Sequence, residues 1–145
     1  MANPAAEILS TLLLSLGSAA GLVENNTLSL HAVAGQEIRL QNVWHLNDNC
    51  TQTAPIRMVV TSPAGKGTVE AVPVEDFMDG DDSDLMRKCG TRRVASLDIR
   101  YATRPGGTGE DRFGFAVVFQ DGTVWNYKVT VRIARPAPQA PEDDR

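Results

Sequence analysis

The clearest pattern in the chain is a period of two near its end. Phe113, Phe115, Val117 and Phe119 share one parity, as do Trp125, Tyr127, Val129, Val131 and Ile133, and the polar Asn126, Lys128, Thr130 and Arg132 fall between the latter. Such alternation belongs to antiparallel strands with one face buried and the other wet. Parity also selects the turn between them. A two-residue Asp121-Gly122 loop would send the two apolar rows to opposite faces, because a one-residue slip flips every side chain. A three-residue loop, Gln120-Asp121-Gly122, pairs Phe119 with Thr123 and Val117 with Trp125 and keeps the rows together. That is a type I turn followed by a left-handed glycine, so Gly122 is expected at positive φ. The centre of the core is expected at Phe113, Phe115, Val117, Tyr127, Val129 and Val131.

Weaker alternation precedes this hairpin. Leu28, Leu30 and Ala32 occupy one face, a turn follows at Gly35, and Ile38 and Leu40 repeat the period. Arg57 to Thr61 is a short apolar run ended by Ser62-Pro63, a breaker pair. Gly67 to Val74 is rich in valine, but its apolar parity slips between Val69 and Val72, which predicts a bulge or a strand end near Pro73. Glu75 to Arg93 is polar and predicts a long structureless loop. Beyond it Leu97, Ile99 and Tyr101 alternate with Ser96, Asp98 and Arg100. No segment after residue 20 carries a helical stripe. About seven short strands with glycine and proline punctuation predict an all-β antiparallel sandwich.

The two ends differ from this middle. Residues 1–20 read as a signal peptide: Ile8 to Leu16 is apolar, and Ser18-Ala19-Ala20 offers small residues for cleavage. The flank carries Glu7 and no Lys or Arg, so the alternative is an amphipathic helix of the mature protein. The stretch is too short to span a bilayer, which takes about 20 apolar residues. Residues 135–145 (RPAPQAPEDDR) form a proline-rich tail expected to be disordered. Residues 21–134 then make one domain.

Export changes the meaning of the two cysteines. In an oxidising compartment Cys50 and Cys89 form one disulfide; in a reducing one they would be free thiols. The net charge of −4, with basic residues scattered, argues against a nucleic-acid partner. Asn25-Asn26-Thr27 and Asn49-Cys50-Thr51 fit the N-glycosylation pattern.

Gly107 to Ile133, reading GTGEDRFGFAVVFQDGTVWNYKVTVRI, resembles the closing hairpin of the immunoglobulin-like and cadherin-like modules of bacterial surface proteins, with their G-x-D-x-F-x-Y motif, glycine turn and alternating valine-threonine strand. Pro63 to Val69 (PAGKGTV) resembles their earlier P-x-x-G-T-V turn. The resemblance covers about a third of the chain and implies an immunoglobulin-like β-sandwich with a surface-binding or structural role. The disulfide departs from those modules. No tryptophan follows Cys50 at the spacing of antibody-type domains.

Catalytic chemistry finds little purchase. His31 falls on a polar face, and His45 beside Trp44 reads as packed or solvated, with no nucleophile elbow in the chain. Cys89 is followed by Gly90-Thr91-Arg92-Arg93, which does not give a sandwich-type copper site, and zinc spacing is absent. The acidic run Asp79-Gly80-Asp81-Asp82-Ser83-Asp84 is the one candidate cation loop; a solvated acidic loop is the alternative. Asp111 matches the aspartate of the surface-module motif but lacks companion ligands in the sequence. The expectation is a periplasmic or secreted, non-catalytic module without catalytic, metal or cofactor residues and without membrane insertion. It would bind another protein or a cell-surface component through loops and strand edges. An ion- or ligand-binding protein using loop 79–84 is the alternative.

Overall fold

The computed structural model describes residues 21–78 and 83–138. Residues 1–20, where the signal peptide is expected, Asp79 to Asp82 and residues 139–145 lie outside them; residues 135–138 have no regular structure. Seven strands and one short helix follow in the order β1 (Val23–Val33), β2 (Glu37–Val43), β3 (Arg57–Ser62), β4 (Gly67–Phe77), α1 (Asp84–Cys89), β5 (Arg93–Thr103), β6 (Gly109–Val118) and β7 (Val124–Ala134). They form a four-stranded sheet in the order β1-β7-β6-β3 and a three-stranded sheet in the order β2-β5-β4. The architecture is the immunoglobulin-like sandwich expected, with one difference: β1 pairs parallel to β7, and every other pair is antiparallel.

The alternating rows of the closing hairpin supply the core. Phe115, Val117 and Val131 are fully buried, and Phe113, Tyr127 and Val129 nearly so. Phe115 stacks on Tyr127 with ring centres 4.6 Å apart, and Tyr101 on Phe113 at 4.9 Å. Ile99 and Tyr101 meet them from the opposite sheet. The turn is the bulged one. Val117 pairs with Trp125, the Phe119 N–H donates to the Thr123 carbonyl at 2.9 Å, and Gly122 has φ of 90°.

Three expectations need correction. β4 neither bulges nor ends at Pro73; it pairs with β5 in unbroken register through Phe77. Val69 and Ala71 pack inward opposite Tyr101 and Ile99, and Pro73 continues their parity opposite Leu97 but is exposed, so the apparent slip came from Val72 and Val74, which lie on the outer face. β4 is an edge strand, the place in a sheet where proline is accommodated. The irregularities fall instead in β2, between Arg39 and Gln41, and in β3, between Val60 and Ser62. Second, Glu75 to Arg93 is no structureless loop: its first three residues belong to β4 and Arg93 opens β5. Third, the connection between them holds a helix, α1, in a chain expected to have none.

Candidate functional site

At one end of the sandwich the β2–β3 connection, the β4–β5 connection and the β6–β7 turn meet the start of β1. The Val124 N–H donates to the Leu22 carbonyl at 2.8 Å, and His45 of the β2–β3 connection packs edge-on against Phe119 with ring centres 5.4 Å apart. Phe119 in turn meets Trp125 at 4.6 Å. Both connections are locally built. α1 starts at Ser83, whose side chain accepts from the Met86 N–H, with Asp84 in its first turn and Arg87 and Lys88 in its last, each favourable to the helix dipole. The β2–β3 connection is held by bonds from the Asn47 N–H to the Thr51 carbonyl and from the Cys50 N–H to the Asn47 carbonyl. The Asn49 side chain accepts from the Thr51 N–H and hydroxyl.

The disulfide Cys50–Cys89 ties these connections together. Cys89 has no exposed surface, and with Cys50, Met78 and Val94 it forms a second small core, flanked by Trp44, Leu46, Leu85 and Met86. Cys50 is the one non-glycine residue with positive φ among the described residues, 65°. An L-residue adopts that conformation only where its surroundings dictate it, and here two turn bonds and the cross-link do so. The apolar side chains exposed at this end are Leu22, Val23 and Phe77, the last under the Arg93 guanidinium at 5.7 Å.

The other residues singled out in the sequence do not converge. His31 is exposed on β1, away from His45. The His45 Nδ1 lies 2.7 Å from the Thr53 hydroxyl, but that hydroxyl also donates to the His45 carbonyl at 3.0 Å, so the pair closes a loop. Of the acidic run, Asp84 pairs with Arg87; Asp79, Asp81 and Asp82 lie outside the described residues. Among those described, no three His, Cys, Asp or Glu side chains are grouped to hold a metal ion.

Two buried carboxylates organise the structure elsewhere. Asp111, 4% exposed, accepts from the Gly65 N–H at 3.0 Å, the Lys66 N–H at 2.9 Å and the Tyr101 hydroxyl at 2.6 Å. It thereby joins the two short motifs, the PAGKGTV turn and the start of β6. Burial alone would raise its carboxyl, but hydrogen bonds from Tyr101 and from the Gly65, Lys66 and Arg112 backbone outweigh that and hold it below the ordinary carboxylate range. Burial and the Asp111 carboxylate push the Tyr101 hydroxyl well up, keeping it a donor. Asp98, 1% exposed, lies on the outer face of the three-stranded sheet beneath Asn42, Arg39 and Arg100. Burial raises its carboxyl too, and the bonds from Asn42, Arg100 and Arg39 more than offset it. Alternation placed Asp98 on the outer face; that the face is roofed by long side chains carried no sequence signal.

No family model matches the chain, and no curated protein matches it in sequence. Among solved structures it is similar to amebosin in solution, at 13% identity and a TM-score of 0.39, over 79% of this chain and 98% of that one. It is also similar to the 2,6-sialyltransferase of Photobacterium sp. JT-ISH-224 in a complex with CMP and lactose, at 13% identity and a TM-score of 0.34. That likeness covers 79% of this chain and 18% of the enzyme. Likenesses this weak say nothing of activity.

Proposed function

We propose that this chain is an exported, non-catalytic immunoglobulin-like module of the bacterial surface-module kind, which binds another protein, or a neighbouring subunit of an envelope assembly, through its cross-linked loop end. The observation that carries the reading is the disulfide Cys50–Cys89, which ties two connections together at the end of the sandwich where Leu22, Val23 and Phe77 are exposed. A preorganised surface binds with a smaller ordering cost than mobile loops, and exposed apolar side chains on a rigid base are what an interface desolvates. The bond also supports an oxidising compartment, periplasmic or extracellular. None of the described helices is long and apolar enough to cross a membrane. The module acts by contact and performs no turnover.

The test uses the whole chain as bait in an envelope or secreted extract of the producing cell, with cross-linking. The variant Leu22→Ser/Phe77→Ser should lose the captured partner while melting as the parent does, since both side chains are exposed. Undiminished capture would move the binding face elsewhere, and free thiols at Cys50 and Cys89 in protein from its native compartment would overturn export.

A further inference from the structure

The outer face of the four-stranded sheet is charged against the rest of the chain. The whole sequence has a net charge of −4. On this face, opposite the core-facing Phe115, Tyr127, Val129 and Val131, strand register places Arg57, Arg112, Lys128 and Arg132 against a single acid, Glu110. Arg112 meets Glu110 at 3.5 Å, both exposed, a pairing that water largely screens. Arg57, Lys128 and Arg132 have no ion-pair partner among the described residues. The other sheet behaves in the opposite way: its outer arginines, Arg39 and Arg100, are neutralised by Asp76, Asp98 and Glu37. One face is closed by its own charges and the other is left open.

That open face holds a trough of about 620 Å³. Gly114 leaves its floor bare, and an added Cβ there would meet the Thr61 hydroxyl at 2.8 Å. Lys128, paired in register with Gly114, and Arg112 supply its cations. Asn25, Asn126, Thr27, Thr130 and Ser62 line the rest, with Asn25 and Asn126 bonded at 3.3 Å. Arg132 lies four residues beyond Lys128 on the same side of β7, about 13 Å at the usual strand rise. A ligand that reaches both is a chain and not a single anion.

We propose that this trough binds an acidic polysaccharide, one carrying carboxylates or sulfates along a sugar backbone. Amides and hydroxyls both donate to and accept from sugar hydroxyls, while Lys128 and Arg132, with Arg112 from its solvent-screened pairing, take the acidic groups. An extended peptide fits worse, because β6 and β7 lie inside the sheet with neighbours on both sides and offer no free ladder groups. A single-stranded nucleic acid fits worse because the trough's two rings, Phe113 and Tyr127, are turned into the core to stack on Tyr101 and Phe115 and present no platform for bases. This surface is separate from the loop end and stands or falls independently of it.

The experiment is calorimetric titration of the full chain with polygalacturonate, with dextran as the neutral comparator and poly-glutamate and single-stranded DNA of matched length as acidic ones. Polygalacturonate should bind at about 50 mM salt and weaken steeply by about 200 mM, as ionic contacts to a polyanion do. Arg112→Gln/Lys128→Gln/Arg132→Gln should bind at least about tenfold more weakly, through loss of three ionic contacts, while melting as the parent does. Lys128→Arg alone, and Lys88→Gln/Arg92→Gln at the loop end, should retain binding. Absence of binding at low salt, equal binding by the triple variant, or equal or tighter binding of poly-glutamate or DNA would overturn the proposal.

Discussion

Replacing Asp111 by asparagine tests whether one carboxylate holds the β3–β4 turn to the body of the sandwich. The side chain is 4% exposed and accepts from the Tyr101 hydroxyl and the Gly65 and Lys66 N–H groups. Asparagine keeps the shape but turns one acceptor oxygen into a donor, so at least one of these donors faces another. Hydrogen bonds to a charged group contribute about 1.5–3 kcal/mol, and a buried donor left unpaired costs about 1–3 kcal/mol. The loss of one such bond and of the charge on the others amounts to about 3–5 kcal/mol, a large fraction of the roughly 5–15 kcal/mol that holds a small domain folded. Tyr101→Phe keeps the stack on Phe113 and should cost only about 1–2 kcal/mol. Because the hydroxyl and the carboxylate are each other's partners, the two changes should be non-additive in a double-mutant cycle. Urea melts at neutral pH measure all three variants. The pH dependence gives a second reading. The folded-state carboxyl is held below its ordinary value of 3.8, so its contribution is complete above that value and is lost as pH falls through the depressed one. Asp111→Asn should therefore lose stability less steeply than the parent on acidification below about pH 4–5. A cost under about 1 kcal/mol at neutral pH, or strict additivity with Tyr101→Phe, would refute the reasoning.

The hairpin, the core and the cross-link yield to the same kind of test. Phe115→Ala removes a fully buried ring and should cost about 3–5 kcal/mol by urea unfolding. Gly122→Val puts a β-branched residue at φ of 90° and should lower stability by about 1–2 kcal/mol or more, seen as a drop in Tm. Reducing Cys50–Cys89, or replacing both by serine, reopens a separation of 39 residues and should cost roughly 4 kcal/mol on the loop-entropy estimate, measured by melts with and without reductant.

What could be read from the sequence follows from how each element is stabilised. β6 and β7 were legible because their two faces meet different solvents, core and water, at every second residue. The turn was legible because parity leaves one loop length that keeps both rows together. β4 misled because edge strands accept proline and because Val72 and Val74 put apolar residues on the outer face. α1 is six residues long, too short for a stripe to repeat; a serine cap and a disulfide hold it instead. Asp111 has no companions legible in the sequence because two of its partners are backbone N–H groups 45 and 46 positions away, which no residue type marks. Cys89 marks the β4–β5 connection in the sequence, but which elements share its end of the sandwich depends on topology, above all on β1 lying beside β7.

That parallel pairing also decides how the domain carries force. β1 and β7 run side by side in unbroken register from Val23 opposite Val124 to Val33 opposite Ala134. Residue 21 therefore leaves at the loop end and residue 135 at the other. A pull applied through these two points runs along the strands and loads all eleven rungs together in shear. An antiparallel hairpin pulled at its open end would instead unzip rung by rung. If the chain tethers something at each end, the seam between its first and last strands is the mechanical fuse, and it is set to fail late and all at once.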